Sequence, residues 1–546
     1  MNYIHLQLNA TGNNASNGQF TFNGSNTGYG LSDFLLGQVS AFTQSNPQRQ
    51  NDRQNYFSLY VQDSWRVNRR LTVNAGLRWE PFFPQWDRYG RGSHFELSDF
   101  LANKRSTTFS NGPAGETFHG DPGLPRSNTF QHTANFAPRV GLVIDRGGNG
   151  KETIRTSYGI FYDTPEIYYE VRFVSAPPFG NQISIPNPAG GLTNPYQGFP
   201  GGNPFPQAFP PPKDVAFPAG GVWINLPLHI KPTYMQQWNL SWQRQLTGNW
   251  LVTANYLGNK TSHYWLGRES NPAIYGPGAT TGNTNQRRVL SRIDPVRGTP
   301  YATIGETDDG ANATYNGLLV SAQHRFSHHF TALANYTLSH CINEGDVNGD
   351  LTGPQYQDPG SRRSNRGNCG YDRRHIFNNS VVMTSPKFPS RIAQAVAGDW
   401  QLAGILSIQS GAFWTITAGR DNSLTGVNLD RPNLVGNYQP SERTFNRWFD
   451  PAAFQANPAG SFGNLGRTSV LGPKTVNCDI GLSRQFPIRE SKKLEFRAEA
   501  FNVINHANLD TSVTSAFHTA LSDSKLGSIT GAADPRILQF ALKFIF

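Results

Sequence analysis

Stretches that alternate apolar and polar residues recur in pairs along this chain, and the connections between them are by turns short and long. The pairs are Gln54–Val67 with Arg69–Pro81, Ala137–Arg146 with Lys151–Asp163, Tyr234–Leu246 with Asn249–Gly258, and Ala313–Phe326 with His329–His340. His375–Ser385 with Asp399–Gly411 and Thr475–Phe486 with Lys492–Val503 follow, and Pro535–Phe546 ends the chain. In the clearest arm Leu71, Val73, Ala75, Leu77 and Trp79 face one way while Thr72, Asn74, Gly76, Arg78 and Glu80 face the other, the period of a half-buried strand. Within pairs the links are short: Asn68, Gly147–Gly150, Thr247-Gly248, Ser327-His328 and the PIRES turn ending at Ser491, with 386–398 somewhat longer. Between pairs they are long, at 82–136, 164–233, 259–312, 341–374, 412–474 and 504–534. Long structureless connections argue against a compact soluble domain. Short turns on one rim and long loops on the other predict an all-β fold, an antiparallel transmembrane β-barrel with short periplasmic turns and long extracellular loops.

The last stretch, PRILQFALKFIF, sets Leu538, Phe540, Leu542, Phe544 and Phe546 on one wholly apolar face. It supplies about the 9 to 11 residues that a tilted membrane strand needs, and reads as the closing strand of such a barrel. A soluble sheet would accept this strand in isolation; the alternating connections favour the membrane. Descending, it leaves Phe546 at the periplasmic rim and places every long loop outside. Lipid offers no partner to an edge strand, so the barrel is expected to close. Thirteen strands are clear, and Met1–Ala10, with Ile4, Leu6 and Leu8 opposed to Tyr3, His5, Gln7 and Asn9, makes a fourteenth. Trp65, Trp79, Trp238, Trp242, Trp250, Trp265, Trp400 and Trp414 lie in or near strands, as interfacial girdles require.

Composition agrees. Charged residues make up 15% of the 546, below the roughly 25% of soluble domains, beside 12% aromatics, 55 Gly and 37 Pro. No stretch approaches the ~18 apolar residues of a membrane helix, and a mean hydropathy of −0.50 is compatible with strands whose faces alternate. The net charge of +10 is scattered through turns and loops without a basic helix, which disfavours nucleic acid as a partner. MNYIHLQLNATGNN lacks a basic region followed by an apolar one, so Met1 is not expected to begin an exported precursor.

The stretches NYFSLYVQDSWRVNRRLTVNAGLRWEPF from Asn55, NFAPRVGLVID from Asn135 and YMQQWNLSWQRQL from Tyr234 carry a family resemblance. So do GNCGYDRRHIFNNSVV from Gly367, GDWQLAGILSIQSGAFWTI from Gly398 and LEFRAEAFNVINHANL from Leu494, on to Phe546. In this order they resemble the barrel of TonB-dependent outer-membrane receptors of the Oar-like type. The resemblance implies a barrel of about 22 strands, a plug inside it, a TonB-contacting box and often a carboxypeptidase-regulatory-like sandwich. None of the parts before the barrel is visible, so residues 1–546 are expected to be the C-terminal portion of such a barrel, about 14 of its strands. The implied function is uptake or exchange of a large substrate across the bacterial outer membrane. Surface loops bind the ligand, and TonB, if a plug and box lie upstream, displaces the plug. A passive porin or a surface adhesin without energy coupling is the alternative, and a soluble secreted β-protein a further one. Expected partners are outer-membrane lipid and lipopolysaccharide, the barrel assembly machinery and an unknown extracellular ligand.

No catalytic, cofactor or metal site is expected. GxSxG, HExxH and P-loop lysine motifs are absent, and Asp372-Arg373-Arg374-His375 reads as a rim ion-pair cluster. Asp346, Asn348 and Asp350 are spaced like the start of a calcium loop, but Leu351 replaces its Gly and Gln357 its Glu. His328-His329 reads as a turn. Cys341 and Cys369 bracket one extracellular loop and are expected to form a disulfide; Cys478, sharing a face with Val476, Ile480 and Leu482, is expected free and lipid-facing. Three unpaired thiols in a reducing compartment are the alternative. In the Pro-Gly-rich loop Ser175–Pro232, Tyr196, Phe199, Phe205, Phe209 and Phe217 are candidates to stack on a ligand, or else to pack on one another.

Overall fold

In the computed structural model the alternating segments pair in chain order into one antiparallel meander. The structure describes all residues except 14, 23–26, 28, 166–172, 200, 247–248, 328, 347–352, 490–491 and 512–515. The expected turn residues Thr247, Gly248, His328 and Ser491 therefore lie outside the described residues, as do Asn348, Asp350 and Leu351. Seventeen strands share the main sheet, and fourteen of them are its staves. These are β1 (Asn2–Gly12), β2 (Gln48–Asn68), β3 (Leu71–Trp79), β4 (Phe136–Asp145), β5 (Glu152–Tyr162), β6 (Tyr234–Gln245) and β7 (Trp250–Glu269). They continue with β8 (Tyr301–Ser327), β9 (Phe330–Asn343), β10 (His375–Thr384), β11 (Trp400–Gln409), β12 (Thr475–Arg489), β13 (Lys492–Phe501) and β14 (Ile537–Ile545).

The register makes one face predominantly apolar, with Asn379 and Arg484 among the polar exceptions on it. Leu59 lies opposite Trp79, Leu77 opposite Pro138, and Val140 opposite Tyr158, which in turn faces Trp238. The row runs on through Leu240 with Tyr256, Tyr256 with Leu318, Leu318 with Leu338, Leu406 with Cys478, and Ala498 with Phe540. Many of these side chains stand open, Val61 at 69% and Phe540 at 70%, an arrangement that makes sense against lipid and not against water. The other face carries Asn239, Asn255, Ser321, Asn335, Asn378, Ser407 and Asn477, and lines the lumen. Asn249 and His329 close their turns at φ 66° and 67°, a left-handed geometry that Asn and His adopt more readily than most residues.

The expected closure is not made among the described residues. β14 pairs with β13 alone, and β1 with β2 and no other stave. Register gives the reason: β1 pairs with residues 48–58 of β2, above the stretch 59–68 that pairs with β3, so it never runs beside β14. Its apolar Ile4, Leu6 and Leu8 share the face of Tyr56, Gln54 and Asp52 and point inward, the reverse of the membrane staves.

The long loops hold the compact cores of the molecule. Phe95, Phe100, Phe118, Trp223, Tyr301 and Ile304 form one buried cluster, Phe82, Phe173, Ile224, Leu226 and Trp265 a second, and Ile416, Phe449, Phe454, Phe517 and Ile529 a third. β7 and β8 run up into this cap, well beyond the ~9–11 residues needed to cross a membrane. The cap corrects the girdle expectation at two positions, since Trp265 and Trp414 pack into loop cores rather than at the lipid boundary.

Candidate ligand-binding surface at the barrel mouth

The cap divides the five loop aromatics by role. Phe217 stacks on Trp223 with planes 15° apart and touches Phe109 and Phe118, so it is core. Tyr196 is buried edge-on to Phe42 and Phe199, and its hydroxyl donates to Gln44 Oε1 at 2.7 Å; burial pushes that phenol up to about 12. Phe205 is half-buried, and Phe209 is exposed.

Phe209 belongs to an arginine-rich surface. Its ring lies 5.2 Å from the Arg49 guanidinium and 5.8 Å from that of Arg91. Arg91 also lies over Tyr89 and grips Asp87 with Nε at 3.0 Å and Nη2 at 2.5 Å. Arg126 stands 3.8 Å over Trp86, and Arg53 donates to Asn9 Oδ1 at 3.0 Å. Five arginines, Arg49, Arg53, Arg88, Arg91 and Arg126, thus meet two carboxylates, Asp87 and the fully buried Asp52. Arg53 and Arg91 are buried with their donors spent on Asn9, Asn51 and Asp87, while the exposed Arg49, Arg88 and Arg126, each over an aromatic face, present cations suited to phosphate or carboxylate.

Beneath the cap the lumen wall of β2 to β6 encloses a cavity of about 550 Å³ lined by Tyr60, Asn74, Arg78, Arg139, Phe161 and Gln237, among others. Arg78 bonds the Tyr56 hydroxyl at 2.6 Å and Ser58 Oγ at 3.1 Å, and Arg139 lies 4.2 Å over Phe161. Arg78 is paired with Glu80 at 2.6 Å, while Arg139 beside the Phe161 face gives this wall a place for an anionic ligand with apolar parts.

Cys341, on the lumen face of β9, is bonded to Cys369 across the loop, with Cα atoms 5.4 Å apart. Cys478 is a free thiol, half-buried, on the outward row opposite Leu406. Leu538, Phe540, Leu542 and Phe544 stand on the same outward row of β14, and Phe546 is 89% exposed. At the rim Asp372 accepts from the Cys341 amide at 3.2 Å and lies 4.0 Å from Arg374, while His375 Nδ1 meets the Tyr336 hydroxyl at 2.8 Å. Asp346 is committed to Arg467 at 2.7 Å, and Gln357 is buried between the Gly463 carbonyl and the Arg431 amide.

Three functional side chains carry no local signal in the sequence. Arg431, 3% exposed, donates to the Leu465 carbonyl, Asn365 Oδ1 and the Ser364 carbonyl at 2.7–2.9 Å and so ties two long loops together; burial lowers its pKa to about 10. Arg467 performs a similar task against Asn343 and the Asn365 carbonyl. Glu116 is fully buried in the first loop cluster. Lone charges in aperiodic loops have no spacing by which to find them.

The outer membrane beta barrel domain family matches residues 1–539. A comparison with curated proteins gives no match. Among solved structures the chain is similar to the outer membrane transporter YddB from Escherichia coli, at 10% identity and TM-score 0.46, covering 93% of this chain and 50% of that one. It is also similar to the FrpB iron transporter from Neisseria meningitidis, at 9% identity and TM-score 0.42, covering 90% and 45%. For the ferripyoverdine receptor of Pseudomonas aeruginosa the identity is 11% and the TM-score 0.40, with 92% and 40% covered. The chain spans half or less of the length of each.

Proposed function

We propose that this chain, which belongs to the outer membrane beta barrel domain family, is the C-terminal portion of the barrel of a TonB-dependent, Oar-like receptor that takes up or exchanges a large substrate. The observation that carries the reading is that, among the described residues, β14 and the 59–68 stretch of β2 each pair on one side only. Lipid cannot satisfy the backbone groups of these free edges, each worth several kcal/mol, and further strands standing between them would complete the wall. The order of motifs from Asn55 to Phe546 agrees with that family. In this reading the cap and the lumen wall of β2 to β6 receive the ligand. The exposed Arg49, Arg88 and Arg126 meet anionic groups, lipopolysaccharide phosphates among them. The outward row of β14 ending at Phe546 is the face offered to the barrel assembly machinery.

The reading frame upstream of Met1 tests this. A signal peptide, a plug and about eight further strands in frame are the expected result. A stop codon directly upstream, with steady ion conductance of the purified chain in a planar bilayer, would replace the receptor by a passive porin.

A further inference from the structure

The link between β10 and β11 is the longest of the periplasmic turns and folds into a helix, Arg391–Ala397, started by Ser390 Oγ accepting from the Ala393 amide. Two large apolar side chains on it, Ile392 at 78% and Val396 at 68%, stand open to the surroundings. At ~100° per residue they share one side of the helix, and Gln394 lies on the opposite side. Gln394 is fastened inward, its Oε1 accepting from the Phe388 amide at 2.8 Å and its Nε2 donating to Asp399 at 2.9 Å. Ile392 and Val396 therefore lie on the side of the helix away from the rest of its own turn.

Arg484 shows which surface the helix covers. It stands on the outward row of β12 between Leu482 and Phe486, opposite Trp400 and Phe496. A bare arginine on a lipid face is unfavourable, less so toward the interface. Here it is only 8% exposed because the helix C-terminus lies over it. Its guanidinium donates to the Val396 carbonyl at 3.0 Å and the Gln394 carbonyl at 3.4 Å, and stacks 5.5 Å from Trp400 and 4.7 Å from Phe486. The Trp400 indole donates to the same Val396 carbonyl at 2.9 Å. Gly398 lets the chain leave the helix close against Gln394, since a Cβ there would lie 2.6 Å from the Gln394 carbonyl oxygen and closer still to its side chain. The helix is thus pinned to the lipid side of the periplasmic rim. Its open apolar side lies beside the lipid-facing row with the exposed Arg391, while Lys387 lines the lumen with Ser483, Gln485 and Arg497.

We propose that residues 391–397 form an interfacial anchor inserted in the periplasmic leaflet of the outer membrane. Ile392 and Val396 lie among acyl chains, and Arg391 meets phospholipid phosphates. The occupant is phospholipid; a soluble periplasmic protein on the same face is the rival outcome. The inference rests on the barrel family and not on the receptor reading.

In a Cys478→Ser background, Ile392→Cys and Val396→Cys carry a nitroxide spin label in the full chain, in phosphatidylethanolamine and phosphatidylglycerol vesicles. Leu406→Cys is the lipid control and Val435→Cys the loop control. Oxygen is expected to relax the labels at 392 and 396 more than a water-soluble nickel chelate does, as at 406. Relaxation dominated by the chelate, as at 435, would overturn the proposal and leave the face free for a protein. The unmutated protein gives a second reading. A phospholipid with a photoactivatable group high in its acyl chain is expected to label peptide 386–399, and absence of that label also overturns the proposal.

Discussion

Glu116 is a carboxyl sealed among Phe95, Phe118 and Tyr301, and burial holds its pKa well above the usual carboxylate range, with Ser93 only partly opposing it. The native cap therefore keeps a proton that the open loop releases above about pH 4.3. Its contribution to stability is complete below that pH and is lost as pH rises toward the raised value. His94 and His119, with pKa values lowered chiefly by burial, slope the other way as pH falls through ~6.5. Comparing Glu116→Gln with the native chain isolates the carboxyl. Hydrogen exchange across 93–118 should quicken between pH 5 and 8 in the native protein more than in the variant, and equal changes in both would refute this. At Arg431 the prediction concerns geometry rather than charge. Arg431→Met leaves three acceptors unpaired and should loosen the two loops it ties by about 3 kcal/mol. Arg431→Lys should rescue little, because an ammonium lacks the planar fork. Limited proteolysis within 344–374 and 410–474 measures it, and native resistance in the methionine variant would remove Arg431 from its role as a tie. Neither residue was legible in the sequence, because a buried loop charge is defined by partners as distant as Asn365 is from Arg431.

Elements were legible where their own residues determine them. The period of two in Leu71–Trp79 places that strand and its outward face without any knowledge of its neighbours. Two-residue strands such as Phe413–Trp414 with Val470–Leu471 exist only through a distant partner and leave no pattern. The same distinction separates Phe209 from Phe217, since both sit in one Pro-rich loop and only the fold reveals that the second packs on Trp223. The Cys341–Cys369 bond staples an element of the aperiodic kind, spanning 28 residues. The loop-entropy argument assigns such a closure about 3–4 kcal/mol. Cys341→Ser with Cys369→Ser should therefore expose 344–374 to protease while the folded barrel still migrates faster than its heated form. Unchanged resistance would mean that Arg431 and Arg467 hold the loop alone.

At the scale of the whole molecule the sheet has two sides that the sequence distinguishes and two edges that it does not. Alternation assigns faces, but closure depends on how high each stave stands beside its neighbour, and β1 sits beside residues 48–58 of β2, above the membrane stretch. β14, open along its outer edge, would be a template for another strand in any solvent, and in lipid its free backbone groups are more costly still. Two completions are possible: β1 slides down to meet β14, giving a pore of fourteen staves, or further strands stand between them. Tyr3 and Phe544 both lie on the outward row, at the periplasmic ends of β1 and β14, so the first completion would bring their Cβ atoms within the roughly 3.5–4.5 Å of a disulfide or within reach of a short linker. The receptor reading predicts that Tyr3→Cys with Phe544→Cys, in a Cys478→Ser chain in outer membranes, stays uncrosslinked by oxidant and by short bis-thiol linkers. Leu59→Cys with Trp79→Cys, which are register partners, crosslinks as the positive control. A crosslink between positions 3 and 544 would show fourteen staves closing on themselves, and the arginine-rimmed lumen would then be that of a pore.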